Sequence, residues 1–394
     1  MNEDGVRARV HRHPASVTAM RLRRAPWFGC TAPMRIAYII NSVEGGGAAS
    51  PVPSVARVLR NAGAQVKVLA LTRRDGRALP AMLADDLDVQ VRDGGERDHL
   101  AAAHWLDRAL SHYRPTHLWT SLTRATVLGL LLGWRRDIPV VSWQHAAYLK
   151  PANLRLLRAL RRLPVAWVGD SDQVSALTAE RIGVEPGRLF TWPLFAADPD
   201  APQAQPWQAG ESLRLGSLGR LHPVKGYDVL MDALALLHEG GFRAPVPFEI
   251  AIAGEGTERA TIAEAALRAG IAPLQLPGYT ALPREFLAGL HLYLQPSRSE
   301  GLCIAMHEAM QAGLPVIASA VGQMPYSLEH ERSGWLVAPG DPTALACALA
   351  AALSDPARLA AMGQAARTRV LTRFSADAFR QAGEAILTHL RQAD

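Results

Sequence analysis

The sequence predicts an α/β protein built from two doubly wound domains in tandem, and three observations predict it. From Met34 onward, short β-rich runs alternate with helical patterns, the rhythm of a parallel sheet covered by helices on both faces. That rhythm breaks at Ala196–Gly210, a stretch of Pro, Ala and Gln without an apolar period, and then restarts. The length, 394 residues, suits two domains of about 150 residues with cores of their own. Hydrophobic residues at 49% and charged residues at 20% exclude a disordered, collagenous or disulfide-scaffold chain.

In the first half the expected strands are Arg35–Asn41, Gln65–Leu71, Val89–Arg92, His117–Leu122, Pro139–Gln144 and Ala166–Asp170. Apolar residues at i, i+3, i+4 spacing predict helices between them, among them Leu100–Tyr113 and Asp172–Arg181. In the second half the strands are Leu213–Leu218, Phe248–Ala253, Gln275–Leu276, Leu292–Gln295, Pro315–Ser319 and Trp335–Val337, with a helical tail from about Pro342 to Leu390. The domains are therefore 34–195, a linker 196–211, 212–374, and a last helix 375–394 that is a candidate to cross back to the first domain. Ligands of doubly wound sheets bind beyond the carboxyl ends of the strands, so the cleft between the domains is the expected site.

Residues 1–33 carry six Arg and two acids and have no sustained apolar period. They read as a disordered tail, or as upstream sequence with Met34 the true start. They lack the apolar core of a secretory signal, and no uncharged apolar run approaches the ~18–20 residues of a membrane-spanning helix. Cys30, Cys303 and Cys347 are odd in number and far apart, which encodes neither a disulfide framework nor a Cys metal site and fits a reducing cytoplasm. The net charge of +6 is uneven: residues 34–195 carry 21 basic and 14 acidic residues, residues 196–394 carry 15 and 20. A basic first half suggests an anionic neighbour, with drift in an Arg-rich composition as the plain alternative.

The first strand runs into Glu44-Gly45-Gly46-Gly47 before a helix, a loop whose backbone can approach a ligand and aim amides at an anion. A dinucleotide site would put an acid at the end of the second strand, which instead ends Leu71-Thr72-Arg73-Arg74, so an NAD enzyme is disfavoured. The second domain opens with Gly219-Arg220-Leu-His-Pro-Val-Lys225-Gly226. Gly219 permits close approach, Arg220 offers a planar fork for phosphate oxygens and Lys225 a compact charge near a helix start. Further on, Glu300 lies in a loop before a helix and Glu308 about two turns along it. Carboxylates there suit vicinal sugar or ribose hydroxyls. The plain alternatives are solvated loop cations, a glutamate favouring the helix dipole and a solvated helix face.

Gly-Arg-Leu-x-x-x-Lys-Gly, then Glu300, seven residues, Glu308 and Ala309-Met-Gln-Ala-Gly-Leu-Pro-Val316, resembles the group-one retaining glycosyltransferases of GT-B fold. The Gly-rich turn Ala253-Gly254-Glu255-Gly256 belongs to the same pattern, and the resemblance covers Met34 to the end. It implies two Rossmann-like domains facing a cleft, with a nucleotide-diphosphate-sugar donor held mainly by the second. Arg220 and Lys225 would neutralise the diphosphate, Glu308 would hold ribose hydroxyls and Glu300 sugar hydroxyls. Gly219 and Gly254 would line the donor site, the backbone of Gly301, Leu302, Cys303 and Ile304 would meet sugar or phosphate, and Gly46 and Gly47 would lie near the diphosphate. His145, ending Val141-Ser-Trp-Gln-His, matches a family histidine near the transferred sugar, although a lone strand-end histidine is more often structural. The resemblance implies same-face substitution assisted by the leaving diphosphate, with no metal or other cofactor.

Two departures stand out. Leu302-Cys303 replaces the family's Phe-Gly, which narrows the space beside the donor, and Trp192-Pro-Leu-Phe-Ala replaces Pro-Asn-Gly-Val-Asp after the last strand of the first domain. Separately, Lys150–Leu163 has five cations, no acid, and leucines at 156, 160 and 163 beside Leu157. It reads as an amphipathic helix for an anionic bilayer, or as a packed helix with a solvated Arg face.

The expectation is a cytoplasmic, metal-independent, retaining hexosyltransferase, peripheral on the inner face of the cytoplasmic membrane. It would act on a glycan or lipid-linked acceptor in cell-surface polysaccharide or lipopolysaccharide synthesis. The competitors are a GT-B nucleotide-sugar epimerase and a non-catalytic nucleotide-sugar-binding partner. No basic–aromatic module points to nucleic acid.

Overall fold

The computed structural model describes residues 33–145, 149–270 and 274–393. Apart from Pro33, the expectations for residues 1–33 fall outside that set. The first sheet has seven parallel strands: β1 Arg35–Ser42, β2 Gln65–Thr72, β3 Asp88–Val91, β4 His117–Ser121, β5 Val140–Gln144, β6 Ala166–Gly169 and β7 Leu189–Thr191, in the order β3-β2-β1-β4-β5-β6-β7. The second has six: β8 Leu213–Leu218, β9 Phe248–Ala253, β10 Leu274–Gly278, β11 Leu292–Gln295, β12 Val316–Ser319 and β13 Gly334–Val337, in the order β10-β9-β8-β11-β12-β13. Both orders reverse beside the first strand of their sheet, between β1 and β4 and between β8 and β11, which opens a crevice at the strand carboxyl ends.

The strands form where continuous apolar runs are buried from both sides. In β1, Ile36 to Ile40 are all fully buried, the pattern of a strand covered by helices on each face rather than of one facing water. Helices fill both faces: Val52–Asn61 sinks Val52, Val55, Val58 and Leu59 into the layer on one side, and Thr123–Arg136 packs Ala125, Leu128 and Leu132 on the other.

Three features differ from the sequence reading. β7 is an additional strand of three half-buried residues, too short to show a period and defined by its ladder to β6. The stretch expected as a linker has no helix or strand but is moored to the second domain. Ala197 N–H donates to Phe374 O at 2.7 Å, Asp198 N–H to Gln311 Oε1 at 2.7 Å and Ala204 N–H to Ala312 O at 2.8 Å. The helix expected over Asp172–Arg181 is α-helical only over Asp172–Leu177 and continues as a π-turn, Thr178–Ile182.

The last helix, Ala376–Ala393, returns to the first domain. Gly383 faces the Trp192 ring, where a Cβ would stand 2.6 Å from the indole carbons, so only glycine lets the helix press this close. Trp192 stacks on Trp143 with centroids 4.9 Å apart and touches Phe379 at 5.3 Å. This aromatic column is continuous with Met306, Met310 and Phe374 of the second domain, so one core ties both halves together. Truncating a tryptophan in such a setting costs about 3–5 kcal/mol.

Candidate active site

The loops at the strand carboxyl ends build two facing walls. On the second-domain wall, the chain leaves β8 through Gly219 and Arg220 and turns at Gly226, whose backbone is left-handed (φ +67°). A Cβ at Gly226 would sit 2.0 Å from Pro296 O, so this glycine lets the Lys225 loop lie directly on the loop that carries Glu300. Lys225 Nζ meets Glu300 Oε1 at 2.7 Å, with side-chain exposures of 16% and 11%. Ser297 Oγ donates to the same Oε1 at 2.7 Å and Gln295 Nε2 at 3.2 Å, so three donors converge on one oxygen. Burial opposes the charge of Lys225, but the Glu300 carboxylate beside it wins and holds its pKa above the ordinary value.

Arg220 is exposed, and its guanidinium has no hydrogen-bond or ion-pair partner among the described residues. Glu308 lies on the helix Ile304–Gln311 and its carboxyl group is likewise unpartnered there. Burial pushes its pKa up to about 7, only partly offset by Arg284. An acceptor group with no protein donor and a cation with no protein acid are what a site for hydroxyls and phosphate presents before its ligand arrives.

Between these charges runs the turn Glu300–Cys303. Cys303 has φ +63°, the left-handed region, and caps the helix that starts at Ile304. The sequence departure from glycine is thus a departure at a backbone position that favours glycine. Leu302 and Cys303 are buried, and burial pushes the Cys303 thiol up. Gly254 packs against the start of the wall, where a Cβ would lie 1.8 Å from Gly219 O.

The first-domain wall supplies Gly46 and Gly47 after β1, Ser121 after the body of β4, His145 after β5 and Asp170 after β6. Gly46 is open on its Cβ side, and a Cβ at Gly47 would stand 3.6 Å from Ile304 Cδ1 across the cleft. His145 Nε2 lies 2.5 Å from Ser121 Oγ, and its ring is tilted against Trp143 at 5.7 Å. Burial lowers its pKa to about 3, so the imidazole is uncharged at neutral pH. The walls meet where a Cβ on Gly301 would come within 2.4 Å of His145 O. Arg77 bridges them too, reaching Glu255 of the Gly-rich turn at 2.7 Å and lying 3.9 Å over the Tyr279 ring.

The thirteen residues singled out in the sequence sit on loops that follow β1, β5, β8, β9 and β11 or on the helix Ile304–Gln311. Sequence reading missed Ser121, Asp170 and the Arg77–Glu255 bridge. An acid at the carboxyl end of a buried parallel strand was the available signal for Asp170. Among the described residues no three His, Cys, Asp or Glu side chains are grouped as metal ligands, and no single helix is long and apolar enough to cross a membrane.

Two parallel, doubly wound domains joined across such a cleft define the GT-B class of fold. Residues 203–369, which carry the Arg220, Lys225, Glu300 and Glu308 wall, match the family described as glycosyl transferases group 1. The chain is 28% identical over 284 residues to the D-inositol 3-phosphate glycosyltransferase of Jonesia denitrificans, an alignment covering 64% of each. It is 34% identical over 189 residues to the amylovoran biosynthesis glycosyltransferase AmsK of Erwinia amylovora, covering 44% of each. Neither alignment reaches two thirds of the relative's length. Among solved structures, Anabaena HepE in complex with UDP-glucose superposes with a TM-score of 0.78 at 20% identity, over 90% of this chain and all of that one.

Proposed function

We propose that this protein is a retaining glycosyltransferase that moves a sugar from a nucleotide-diphosphate donor to a hydroxyl of a glycan or lipid-linked saccharide. The observation that carries the reading is the wall on which Lys225 is held at 2.7 Å from Glu300 while Arg220 and Glu308 stand unpartnered. A diphosphate entering there meets Arg220 directly and shares Lys225 with Glu300. Glu308 accepts the ribose hydroxyls and Glu300 a sugar hydroxyl. Because the two cations face the charge that develops on the leaving diphosphate, the reading needs positioning and electrostatics rather than a metal or other cofactor. UDP-glucose, bound in the Anabaena structure, is the first donor to try. The amylovoran relative favours a polysaccharide acceptor.

The acceptor reading extends to an anionic membrane surface at the cytoplasmic face. The helix Pro151–Leu160 leaves Leu156 exposed, and Leu163 beyond it is exposed as well. On the neighbouring helix, Trp134 is 68% exposed and Leu131 is exposed too. Lys150, Arg155 and Arg162 have no acidic partner among the described residues. Exposed apolar side chains with unpaired cations on the same segment suit an interfacial position, each cation contributing about 1 kcal/mol near an anionic surface.

The test is to incubate the protein with radiolabelled nucleotide sugars and membrane extract. Label is expected to move from one donor into an extractable glycan or lipid with retained anomeric configuration. Release of free sugar or an isomer without acceptor would replace the transferase reading by an epimerase one. For the membrane surface, binding to vesicles containing phosphatidylglycerol should fall when Arg155, Arg158, Arg161 and Arg162 are changed to Gln; unchanged sedimentation leaves a solvated helix.

A further inference from the structure

We propose that Asp170 is a positioning residue for His145: with donor in the cleft, its carboxyl group hydrogen-bonds His145 Nδ1 and fixes the imidazole that Ser121 holds from the other side. The inference rests on the reading of His145 as part of the transferase site.

The backbone sets the two residues side by side. β5 and β6 pair with Gln144 opposite Gly169, and Asp170 N–H donates to Gln144 O at 3.2 Å, so His145 and Asp170 are the next two positions along the same ladder. Their side chains are each 6% exposed, and Asp170 Oδ2 lies 3.8 Å from His145 Nδ1. His145 Nδ1 and Asp170 Oδ1 are both buried without a hydrogen-bond partner. Buried polar atoms rarely stay unpaired, and here one unpaired donor-or-acceptor nitrogen and one unpaired carboxyl oxygen share a pocket. A turn of the carboxyl group or a small closure joins them. Functional hydrogen bonds of this kind are often long before ligand binds.

The chemistry of the surroundings selects the form of the bond. Burial raises the pKa of Asp170 well above the ordinary carboxylate range, with Ser171 opposing and Glu300 of the facing wall adding to the rise. His145 is uncharged for the same reason of burial. Two neutral partners join when the carboxylic O–H of Asp170 donates to Nδ1, which leaves the Nε2–H of His145 to donate to Ser121 Oγ, 2.5 Å away. No net proton is transferred. Facing the pair are Ser121 and Ser171 from the first domain and Glu300 from the second, the last held by Lys225. Gly301 closes over both: a Cβ there would lie 2.4 Å from His145 O and 3.3 Å from Asp170 Oδ2. The donor-binding turn thus presses on the pair, which links its geometry to an occupied cleft.

The neutral form makes a distinctive prediction, because an asparagine amide donates where the carboxylic acid does. Asp170→Asn should keep kcat within about 3-fold of the parent, while Asp170→Ala should lower kcat at least 10-fold with donor KM changed less than 3-fold. Imidazole nitrogen NMR of the full chain with UDP added should show His145 as the Nε2–H tautomer, with the Nδ1 signal moved by Asp170→Ala and kept by Asp170→Asn. Parental kcat in Asp170→Ala, or a His145 spectrum indifferent to both variants, would overturn the proposal. Asp170→Asn as impaired as Asp170→Ala would also overturn it, since a carboxylate would then be the acting form. If the parent protein transfers no sugar from any donor, the transferase reading fails, and the nitrogen spectrum still decides whether the bond exists.

Discussion

On the second-domain wall of the cleft Lys225 and Glu300 face each other at 2.7 Å as an ion pair, whereas on the first-domain wall His145 and Asp170 lie 3.8 Å apart with burial driving both toward their neutral forms. The difference follows from what surrounds each pair. Glu300 Oε1 receives three donors, which stabilise a carboxylate that burial alone would not tolerate. Asp170 has an unpartnered oxygen, and burial, with Glu300 adding to it, raises its pKa well above the ordinary carboxylate range. One wall is therefore built around an ion pair and the other around groups that burial favours in their neutral forms.

The largest effects should come from breaking the charged wall, and its two cations should break differently. Lys225→Ala leaves Glu300 buried without its ion partner, so it should destabilise the fold by about 3–5 kcal/mol and lower turnover roughly 100-fold or more. Arg220→Ala should lower turnover by a similar roughly 100-fold but shift stability by less than about 0.5 kcal/mol, because the exposed side chain holds nothing in place. Thermal melts beside turnover at saturating donor separate the two. A Lys225→Ala protein that melts like the parent would show that the pair does not hold this wall together.

Glu308 sharpens the comparison, being a carboxyl group on the charged wall that lacks the donors given to Glu300. Its pKa rises from 4.5 to about 7 on folding. The folded state then binds more protons than the unfolded chain between those values, so its contribution to stability is lost as pH rises through that window. At pH 8, Glu308→Gln should be more stable than the parent by on the order of 2 kcal/mol. The same change should raise donor KM about 10-fold with little change in kcat, since a ribose contact acts alike in ground and transition states. In the parent, kcat/KM for donor should climb with pH through about 7, and the variant should lack that limb. Coincident pH profiles for parent and variant would place the titration elsewhere.

The charged wall was legible in the sequence because Gly219–Gly226 and Glu300–Val316 are each contiguous, with spacing that survives folding as geometry. The neutral wall was only partly legible. Ser121, His145 and Asp170 come from three strand ends, each a single polar residue closing a buried apolar run, and nothing local says that β4, β5 and β6 lie adjacent. β7 was invisible because three half-buried residues carry no period, and the mooring of Ala197–Ala204 because its partners, Gln311, Ala312 and Phe374, lie more than 100 residues away in sequence. The return of the last helix left one faint mark, the small residue at Gly383 within an otherwise amphipathic helix.

The smallest expected effect lies at the hinge between charged loop and helix, and it tests whether the departure from glycine is tolerated or useful. Cys303 holds φ +63°, where a Cβ costs about 1–2 kcal/mol that glycine escapes. Its thiol is buried, and removing a small buried group gives back about 1 kcal/mol of that relief. Cys303→Gly should therefore melt within about 1 kcal/mol of the parent, on the stable side. Cys303→Val, which forces a β-branched side chain into the same conformation, should lose at least about 1–2 kcal/mol. If the thiol narrows the space beside the sugar, Cys303→Gly should keep turnover of the preferred donor within about 3-fold while raising turnover of bulkier donor sugars. An unchanged preference across a panel of nucleotide sugars, together with the expected gain in stability, would mean that the cysteine shapes the backbone turn and not the choice of donor.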